Sequence, residues 1–236
     1  MGDFIKFPST PHLLWLGETS IRKDKVMTIE EAHEFLRNPV TIEEKVDGAN
    51  IGISFDSSGS LLVQNRGNSL ERQVKGQFSA LWNWLSRHES NLLTALEDHL
   101  ILFGEWCYAR HSIHYTRLPD FFLAFDVFDK RNQKFMSCIR RDLIVHQVNL
   151  VSVPKIAAGL YSLAEIPRLI GRSSLYEGPM EGVYLRQEDE SWLTRRAKVV
   201  RGEFVQQMSI HWSRKPLVAN SLVSNTDPSL SVERSH

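Results

Sequence analysis

The sequence predicts an α+β fold of mainly antiparallel sheets flanked by helices. Strand-like and helix-like segments follow one another without a regular strand–helix–strand rhythm, which disfavours a parallel sheet. The 236 residues are enough to bury a sizeable core, and a hydrophobic content of 42% is ordinary for a globular protein. The formal net charge is zero, which excludes a uniformly basic surface but is compatible with a local basic groove.

The individual elements follow from the spacing of apolar residues. Alternating or continuous apolar stretches rich in aromatic and β-branched residues predict strands, and apolar residues three or four apart predict helices. In chain order we expect a hairpin over 41–56 and 60–66, helices over 69–85 and 89–100, strands over 100–108 and 121–129, helices over 137–150 and 162–174, and strands over 180–186 and 195–204. Residues 216–236 are rich in Ser, Asn and Pro and predict a flexible tail after a domain that spans 1–215.

The composition disfavours several classes of protein. No apolar run approaches the roughly 20 residues that a membrane helix needs, and the first residues lack the basic and apolar regions of a secretory signal. The two cysteines, Cys107 and Cys138, do not make a disulfide framework and stand outside any zinc-ligand spacing. We therefore expect a cytoplasmic protein without a membrane partner.

Lys45 stands in the stretch EEKVDGAN, which on its own indicates only an exposed turn. Further segments give it context, and in chain order the set is EKVDGAN (44–50), NRG (65–67), FGEW (103–106), FLAFDVFD (122–129), MEGVYLR (180–186) and RRAKVVR (195–201). This ordered set resembles the covalent nucleotidyltransferase superfamily of polynucleotide ligases and mRNA capping enzymes, and most of all its small ATP-dependent RNA ligases. The resemblance covers most of the chain and implies a nucleotidyltransferase (ATP-grasp-like ligase) domain.

The resemblance implies that Lys45 attacks the α-phosphate of ATP and carries AMP as a phosphoramide. Lysine has an ordinary pKa of about 10.4 and needs nearby cations to become a neutral nucleophile at neutral pH. Arg196 and Lys198, two residues apart on a predicted strand, would face one side and lower that pKa. The alternative for this pair is a solvated basic strand edge. Strand alternation places Glu43 on the face of Lys45 and Glu44 on the opposite face.

Glu105 and Phe125 are the residues that the resemblance assigns to the nucleoside. Glu105 would hold a ribose hydroxyl, with a buried ion pair to Arg110 or another basic residue as the alternative. Phe125 would stack on adenine, with a plain core position as the alternative. Asp126 is its neighbour, and adjacent residues of a regular strand face opposite sides. We therefore expect Asp126 only to support the site.

The resemblance makes Glu181 the carboxylate that binds Mg²⁺, with Mn²⁺ as the alternative metal. Arg186 closes the same motif, although five residues of regular strand would place it on the opposite face from Glu181. The backbone of Glu44 would contact adenine, and Asn50 would help to engage the end to be joined. The complete set of expected nucleotide contacts is Glu44, Val46, Asp47, Asn50, Arg66, Glu105, Phe125, Arg186, Arg196 and Lys198.

The function that the resemblance implies is ATP-dependent joining of an RNA 5′-phosphate to a 3′-hydroxyl through lysyl-AMP and an adenylylated 5′ end, as in RNA repair. The partners would be RNA ends in a nicked duplex or a broken RNA. The alternatives are a DNA-nick ligase, a GTP-using guanylyltransferase, or a non-catalytic protein that binds nucleotide or RNA ends. Basic and aromatic residues interleave over 108–120 and 211–215, which is typical of nucleic-acid contacts. For 108–120 the alternative is an ordered surface loop.

The residues that follow Arg201 are too few for a five-stranded OB-fold domain, so we expect none. In DNA ligases and capping enzymes, such a domain orients pyrophosphate and clamps the duplex. Here we expect Arg72 or Lys75 to orient pyrophosphate. A partner protein would supply end binding or end healing.

Overall fold

The structure, a computed structural model, describes residues 4–17, 26–72, 76–207 and 217–223, with only the backbone of 205–207. Its α-helices are α1 (Ile29–Phe35), α2 (Ser79–Leu96), α3 (Cys138–Gln147) and α4 (Gly202–Gln207). Its strands are β1 (Val40–Lys45), β2 (Ala49–Phe55), β3 (Leu61–Asn65), β4 (Leu100–Trp106), β5 (Phe122–Asp129), β6 (Lys134–Phe135), β7 (Val151–Ser152), β8 (Lys155–Gly159), β9 (Gly182–Glu188) and β10 (Leu193–Val200). The predicted α+β class with mainly antiparallel sheets is confirmed.

The first sheet, sheet A, contains β10, β9, β1 and β8 in that order, and its strand pairs are antiparallel. Its outer face is apolar and packs against Ala32 and Phe35 of α1. Its inner face is polar, because the strand register aligns Glu43, Tyr184 and Lys198 in one row. The two-residue period of the strands thus separates an apolar face from a charged one.

The second sheet, sheet B, contains β3, β2, β4, β5 and β6 in that order, with β7 parallel beside β5. Ile51, Ile53 and Phe55 alternate along β2 and belong to the core that includes the buried residues of α2. The other face of sheet B is turned toward sheet A. The turn at 46–48 carries the chain from β1 to β2, so the inner faces of the two sheets enclose a cavity.

Two predicted elements differ in their connections. The predicted hairpin over 41–56 and 60–66 is formed by β2 and β3 alone, because β1 pairs with β9 and β8 in sheet A. The predicted helices over 69–85 and 89–100 are replaced by the single helix α2. The polar residues in its middle lie mostly exposed on one continuous helix.

Two further elements are shorter than predicted. The predicted strand over 195–204 ends at Val200, and Gly202 begins α4. The predicted helix over 162–174 is reduced to a 3-10 helix at Ile166–Leu169. Pro167 lies in the first turn of this 3-10 helix, and because it lacks a backbone donor it prevents one α-helix from running through the whole of 162–174.

Helix α1 was not predicted, although the sequence carries a signal for it. The Thr28 hydroxyl accepts from the Glu31 amide at 3.1 Å, and the Glu31 carboxylate accepts from the Thr28 amide at 2.8 Å. This capping box satisfies two backbone donors at the helix start. A Thr-x-x-Glu pattern before an apolar segment would have located the helix.

The described part of the predicted tail, residues 217–223, is bound to the rest of the protein. The Asn220 side chain accepts from the Tyr115 amide at 2.9 Å and donates to the Cys107 carbonyl at 2.8 Å. Asn220 is buried, so its amide replaces the water that these backbone groups would otherwise contact. The composition that suggested a loose tail instead supplies hydrogen bonds here.

Candidate active site

The stretch that carries Lys45 links the two sheets. Lys45 is the last residue of β1, and Ala49 begins β2 in the other sheet. The turn between them packs tightly against β4, because a Cβ on Gly48 would lie 2.8 Å from the Trp106 carbonyl oxygen. Glycine is therefore required here for close approach of two backbone segments.

Asp47 ties the same turn to the segment that follows β4. Its carboxylate accepts from the backbone amides of Ser112 at 2.7 Å and Ile113 at 3.0 Å. Its own amide donates to the Tyr115 hydroxyl at 2.9 Å. These contacts hold the turn after Lys45 in place and give the aspartate of the KVDG stretch a positioning role.

The inner faces of the sheets enclose a cavity of about 680 Å³. Most of the sequence-predicted site residues line it: Glu44, Lys45, Val46, Asp47, Asn50, Arg66, Glu105, Phe125, Glu181 and Lys198. They come from both sheets and from segments far apart in the chain. The ordered motifs therefore converge on one cavity.

Lys45 and Glu181 form an ion pair in this cavity, with Nζ 2.6 Å from Oε1. Glu181 directly precedes β9, and Gly182 pairs with Lys45 across the strands. A Cβ on Gly182 would lie 2.1 Å from the Val199 carbonyl oxygen of β10. The glycine that follows Glu181 is thus required for β9 and β10 to pair beside the lysine.

Carboxylates dominate the electrostatics around Lys45. Burial lowers the pKa of Lys45, but Glu181, Glu105 and Asp47 raise it more, so the net pKa lies above the ordinary value. Burial raises the pKa of Glu105 to about 8 and that of Glu181 to about 7, and the Lys45 charge offsets part of each shift. The prediction that neighbouring cations lower the Lys45 pKa is wrong for this arrangement, because the closest charges are acidic.

We expect Glu181→Gln to lower the pKa of Lys45, because the substitution removes the carboxylate that holds the lysine proton. The pKa would be read from the pH dependence of reductive methylation at Lys45, followed by mass spectrometry of its peptide. Glu177→Gln removes an exposed carboxylate and is the matched control, for which the Lys45 pKa should not change. A Lys45 pKa that is the same in Glu181→Gln and wild type would contradict the ion pair.

Sheet B supplies the wall opposite Lys45. Asn50 and Glu105 are direct cross-strand partners on β2 and β4, so their side chains face the cavity side by side. Arg66 follows β3 and also lines the cavity, and its charge lowers the pKa of Glu105. Glu105 therefore faces Lys45 and Arg66 rather than Arg110, which is exposed.

A β-bulge in β5 directs Phe125 into the cavity. Ala124 and Asp126 pair with consecutive residues of β4, which leaves Phe125 as the extra residue. Ala124 and Val127 belong to the core with α2, so Phe125 and Asp126 both point away from that core. The rule that neighbours face opposite sides fails at the bulge. Phe125 lines the cavity, whereas Asp126 is fully buried outside the lining.

The structure places Arg186 and Arg196 outside the cavity lining, in a buried ion cluster. The cluster consists of Glu43, Asp126, Arg141, Arg186, Glu188 and Arg196. Arg186 is fully buried and lies 2.6 Å from Asp126, which also contacts Arg196 at 3.1 Å. The predicted nucleotide contacts of Arg186 and Arg196 are therefore not supported. Asp126, from another strand, binds both arginines. The spacing of residues within β9 or β10 could not reveal this pairing.

The ion cluster fixes the bulge that carries Phe125. The Phe125 carbonyl accepts from Arg141 at 2.8 Å and from Arg186 at 3.1 Å. Arg141 also pairs with Glu43 at 2.7 Å, which explains how an acid can share the face of Lys45 without lying against it. Asp126, through Arg186, supports the position of Phe125.

The N-terminal segment forms a part of the cavity wall that the sequence did not reveal. Four residues of this segment line the cavity and were not predicted: Phe7, Thr10, His12 and Trp15. Tyr184 and Phe204, from β9 and α4, also line it without having been predicted. The Leu13 amide donates to the Lys198 carbonyl at 2.8 Å, and the Lys198 amide donates to the Pro11 carbonyl at 3.0 Å. The segment thus pairs with β10, a strand close to the other end of the described chain, and no local motif marks it.

Neither predicted pyrophosphate contact is seen among the described residues that line the cavity. Arg72 is exposed and does not line the cavity. Lys75 and the basic-aromatic stretch 211–215 lie outside the described residues. The second segment of this type, 108–120, contributes His111 to the cavity lining.

Glu181 fits the metal role that the sequence predicts. Its Oε1 pairs with Lys45, whereas Oε2 is buried and has no hydrogen-bond partner in the part of the chain that the structure describes. Asn50 Oδ1 is also buried without a partner in that part and lines the same cavity. Carboxylate and amide oxygens are suitable ligands for Mg²⁺, which usually keeps several waters.

A family model described as RNA ligase matches residues 38–200, which is well over half of the chain. The chain therefore belongs to the RNA ligase family, and the resemblance seen in its motifs is confirmed. No curated protein matches the chain.

Solved structures of Naegleria gruberi RNA ligase share the fold. A variant with ATP and Mn is similar with a TM-score of 0.64 at 16% identity, over 86% of this chain and 58% of that one. The same ligase with pyrophosphate gives a TM-score of 0.61 at 18% identity, over 87% and 63% of the two chains. A variant with AMP and Mn gives 0.59 at 18% identity, over 86% and 63%. The chain thus spans less than two thirds of the length of these ligases.

The helices of the described residues can be compared with the requirements for spanning a membrane. None of the helices among them combines the length and the apolar character that crossing a membrane requires.

Proposed function

We propose that this protein is an ATP-dependent RNA ligase that joins a 5′-phosphate to a 3′-hydroxyl through lysyl-AMP. The observation that carries the proposal is the convergence of four complementary groups on one cavity. These are Lys45, Glu105, Glu181 and Lys198. Membership of the RNA ligase family supports the same conclusion, as do structural relatives solved with ATP and with AMP.

In the first step the neutral Nζ of Lys45 attacks the α-phosphorus of ATP. The nitrogen–phosphorus bond forms as the bond to the bridging oxygen breaks, and that oxygen leaves with its electron pair as part of pyrophosphate. The proton displaced from the amine passes to solvent. Lys198 lines the same cavity and stabilises the negative charge that develops on the phosphate.

Glu181 has two roles in this scheme. Before the metal binds, it holds the proton of Lys45 through the 2.6 Å ion pair. A Mg²⁺ or Mn²⁺ ion bound at Glu181 would supply positive charge at the α-phosphate. Glu181 would then face the metal instead of the lysine, and loss of the ion pair would lower the Lys45 pKa toward that of a nucleophile.

Sheet B would bind the nucleoside. Phe125 offers an aromatic face to adenine, and the carbonyl contacts from two arginines hold it in place. Glu105 has a pKa raised to about 8, so at neutral pH its carboxyl can both donate to and accept from a ribose hydroxyl. We expect the backbone of Glu44 and Val46, on either side of Lys45, to contact the base.

Two further steps complete the reaction. An oxygen of the RNA 5′-phosphate attacks the phosphorus of lysyl-AMP, and Lys45 leaves as the amine after it regains a proton. The RNA 3′-hydroxyl then loses its proton and attacks the 5′-phosphate, so that AMP leaves and the phosphodiester forms. Asn50, on sheet B beside the nucleoside site, is the residue that we expect to contact the end to be joined. Arg66, which follows β3 and lines the same cavity, would contact phosphate or ribose.

The alternatives use the same cavity with a different substrate or without chemistry. A DNA-nick ligase and a GTP-using guanylyltransferase would each keep the nucleophile. A non-catalytic binder has no need of Lys45 paired with a buried carboxylate, which favours an enzyme. Family membership favours RNA.

We expect the protein to seal an RNA nick with Mg²⁺ and ATP, and to seal it faster than the matched DNA nick or with GTP in place of ATP. The measurement is a gel assay with defined RNA and DNA end pairs, run with this chain alone. Faster sealing of DNA, or transfer of GMP alone, would favour the corresponding alternative. Nucleotide binding without sealing or adduct would favour the non-catalytic binder.

A further inference from the structure

We infer that His12 is the residue that contacts the departing pyrophosphate in the adenylylation step, which rests on the proposed function. The His12 side chain is buried, with 7% of its surface exposed, and lines the cavity together with Lys45 and Lys198. Of the two predicted candidates, Arg72 is exposed and does not line the cavity, and Lys75 lies outside the described residues.

The strand register brings His12 to the inner face of sheet A. His12 pairs in parallel with Lys198, Lys198 pairs with Tyr184, and Tyr184 pairs with Glu43. Directly paired residues project from the same face of a sheet. His12 therefore extends this inner row by one position beyond Lys198, and Val26 pairs with it on its other side.

The position of His12 is fixed from two sides. The hydrogen bonds of Leu13 and Pro11 to Lys198, at 2.8 and 3.0 Å, hold its backbone against β10. The Trp15 ring, which also lines the cavity, packs edge-on against the imidazole with centroids 5.0 Å apart and planes at 82°. An imidazole that is held in this way can present a ring N–H without a large entropic cost.

The other walls of the cavity suit other parts of ATP. Phe125, Glu105 and Asn50 on sheet B provide an aromatic face and polar groups for the nucleoside. Lys45 and Lys198 lie at the α-phosphate in the proposed reaction. A polyphosphate that extends from Lys45 past Lys198 reaches the N-terminal segment beside β10, where His12 lines the cavity.

The chemical role of His12 is hydrogen-bond donation. As the bond between the α-phosphorus and the bridging oxygen breaks, negative charge grows on the pyrophosphate. A ring N–H directed at a β- or γ-phosphate oxygen stabilises that charge and holds the leaving group away from Lys45. His12 neither takes the lysine proton nor forms a bond to phosphorus.

The thermodynamics of the step give a specific test. Adduct formation from ATP has one kcat/KM value, and its reversal by pyrophosphate has another. The ratio of the first to the second equals the equilibrium constant for converting protein and ATP into lysyl-AMP and pyrophosphate. If His12 contacts only the pyrophosphate portion, a substitution leaves that constant unchanged and lowers both values by the same factor. Sealing of an RNA that already carries AMP on its 5′ end involves no pyrophosphate and should not change.

The experiment compares wild type with His12→Phe, which keeps an aromatic ring against Trp15 but removes the donor, and with His12→Ala. Both should lose at least about tenfold in adduct formation and in its reversal, and both should seal pre-adenylylated RNA like wild type. His33→Ala, at an exposed position on α1, is the matched control and should behave as wild type in every assay.

The outcomes are distinguishable. If wild type forms no adduct with ATP, the proposed function fails. If wild type is active and both His12 variants form the adduct at its rate, the inference is overturned. An equal loss in sealing of pre-adenylylated RNA, or a loss in the forward direction without a matching loss in reversal, would also overturn it. If one His12 variant does not fold, as judged by its melting temperature, the other decides.

Discussion

Replacing Arg186 by methionine is expected to lower the free energy of unfolding by about 3–5 kcal/mol. The substitution removes the 2.6 Å partner of Asp126, which is fully buried and keeps only Arg196 at 3.1 Å, and Glu188 loses its ion pair with Arg186. The Phe125 and Met136 carbonyls also lose the donors that Arg186 supplies at 3.1 and 3.0 Å. Buried polar groups without partners are among the most destabilising features in a protein interior.

Urea unfolding followed by circular dichroism would measure this effect. Arg87→Met, at an exposed position on α2, is the control and should change the free energy of unfolding by no more than about 0.5 kcal/mol. The double variant Arg186→Met with Asp126→Asn also removes the buried carboxylate charge, which would otherwise keep only Arg196 as its partner, and should cost less than the sum of the two single changes. An Arg186→Met protein as stable as wild type would show that the cluster does not hold the sheets and β5 together.

The sequence predicted those residues of the cavity wall that belong to the ordered motifs. Lys45, Glu105, Phe125, Glu181 and Lys198 were all assigned from ordered motifs, and all line one cavity. The roles assigned to these residues stay predictions, but the assignments themselves follow from the residue types that nucleotide chemistry would require. They do not depend on the exact packing of the strands.

Strand alternation predicted some orientations and failed at others. It placed Glu43 and Glu44 on opposite faces, and the structure agrees: Glu43 joins the ion cluster, and Glu44 accepts from the Ser173 hydroxyl at 2.6 Å. It failed at Phe125 and Asp126, because the bulge in β5 inserts one residue. A bulge depends on the pairing of two strands, so the sequence of one strand does not show it.

The ion cluster and the N-terminal wall could not be predicted for a related reason. Arg186 and Arg196 carry the right charge for a phosphate, but Asp126 lies between them and binds both. Whether an arginine contacts a ligand or a neighbouring carboxylate depends on which distant strand lies beside it. His12 enters the site only because residues 11–13 pair with β10.

Lys45→Ala is expected to abolish attachment of AMP to the protein, with a loss of at least about a thousandfold, because the substitution removes the attacking amine. Sealing of RNA that already carries AMP on its 5′ end should persist, because Lys198, Glu181 and the residues of sheet B that would bind the nucleoside stay in place. Lys155→Ala, at an exposed position on β8, is the matched control and should retain both activities.

The most direct measurement locates AMP on the wild-type protein after incubation with Mg²⁺ and ATP that is labelled at the α-phosphorus. Because Lys45, which pairs with Glu181, is the proposed nucleophile, we expect one covalent AMP on the peptide that contains Lys45. That AMP should be stable to alkali and released by mild acid, as expected of a nitrogen–phosphorus bond. Protein that stays unlabelled under conditions where it binds ATP, or a label on another residue, would contradict the account.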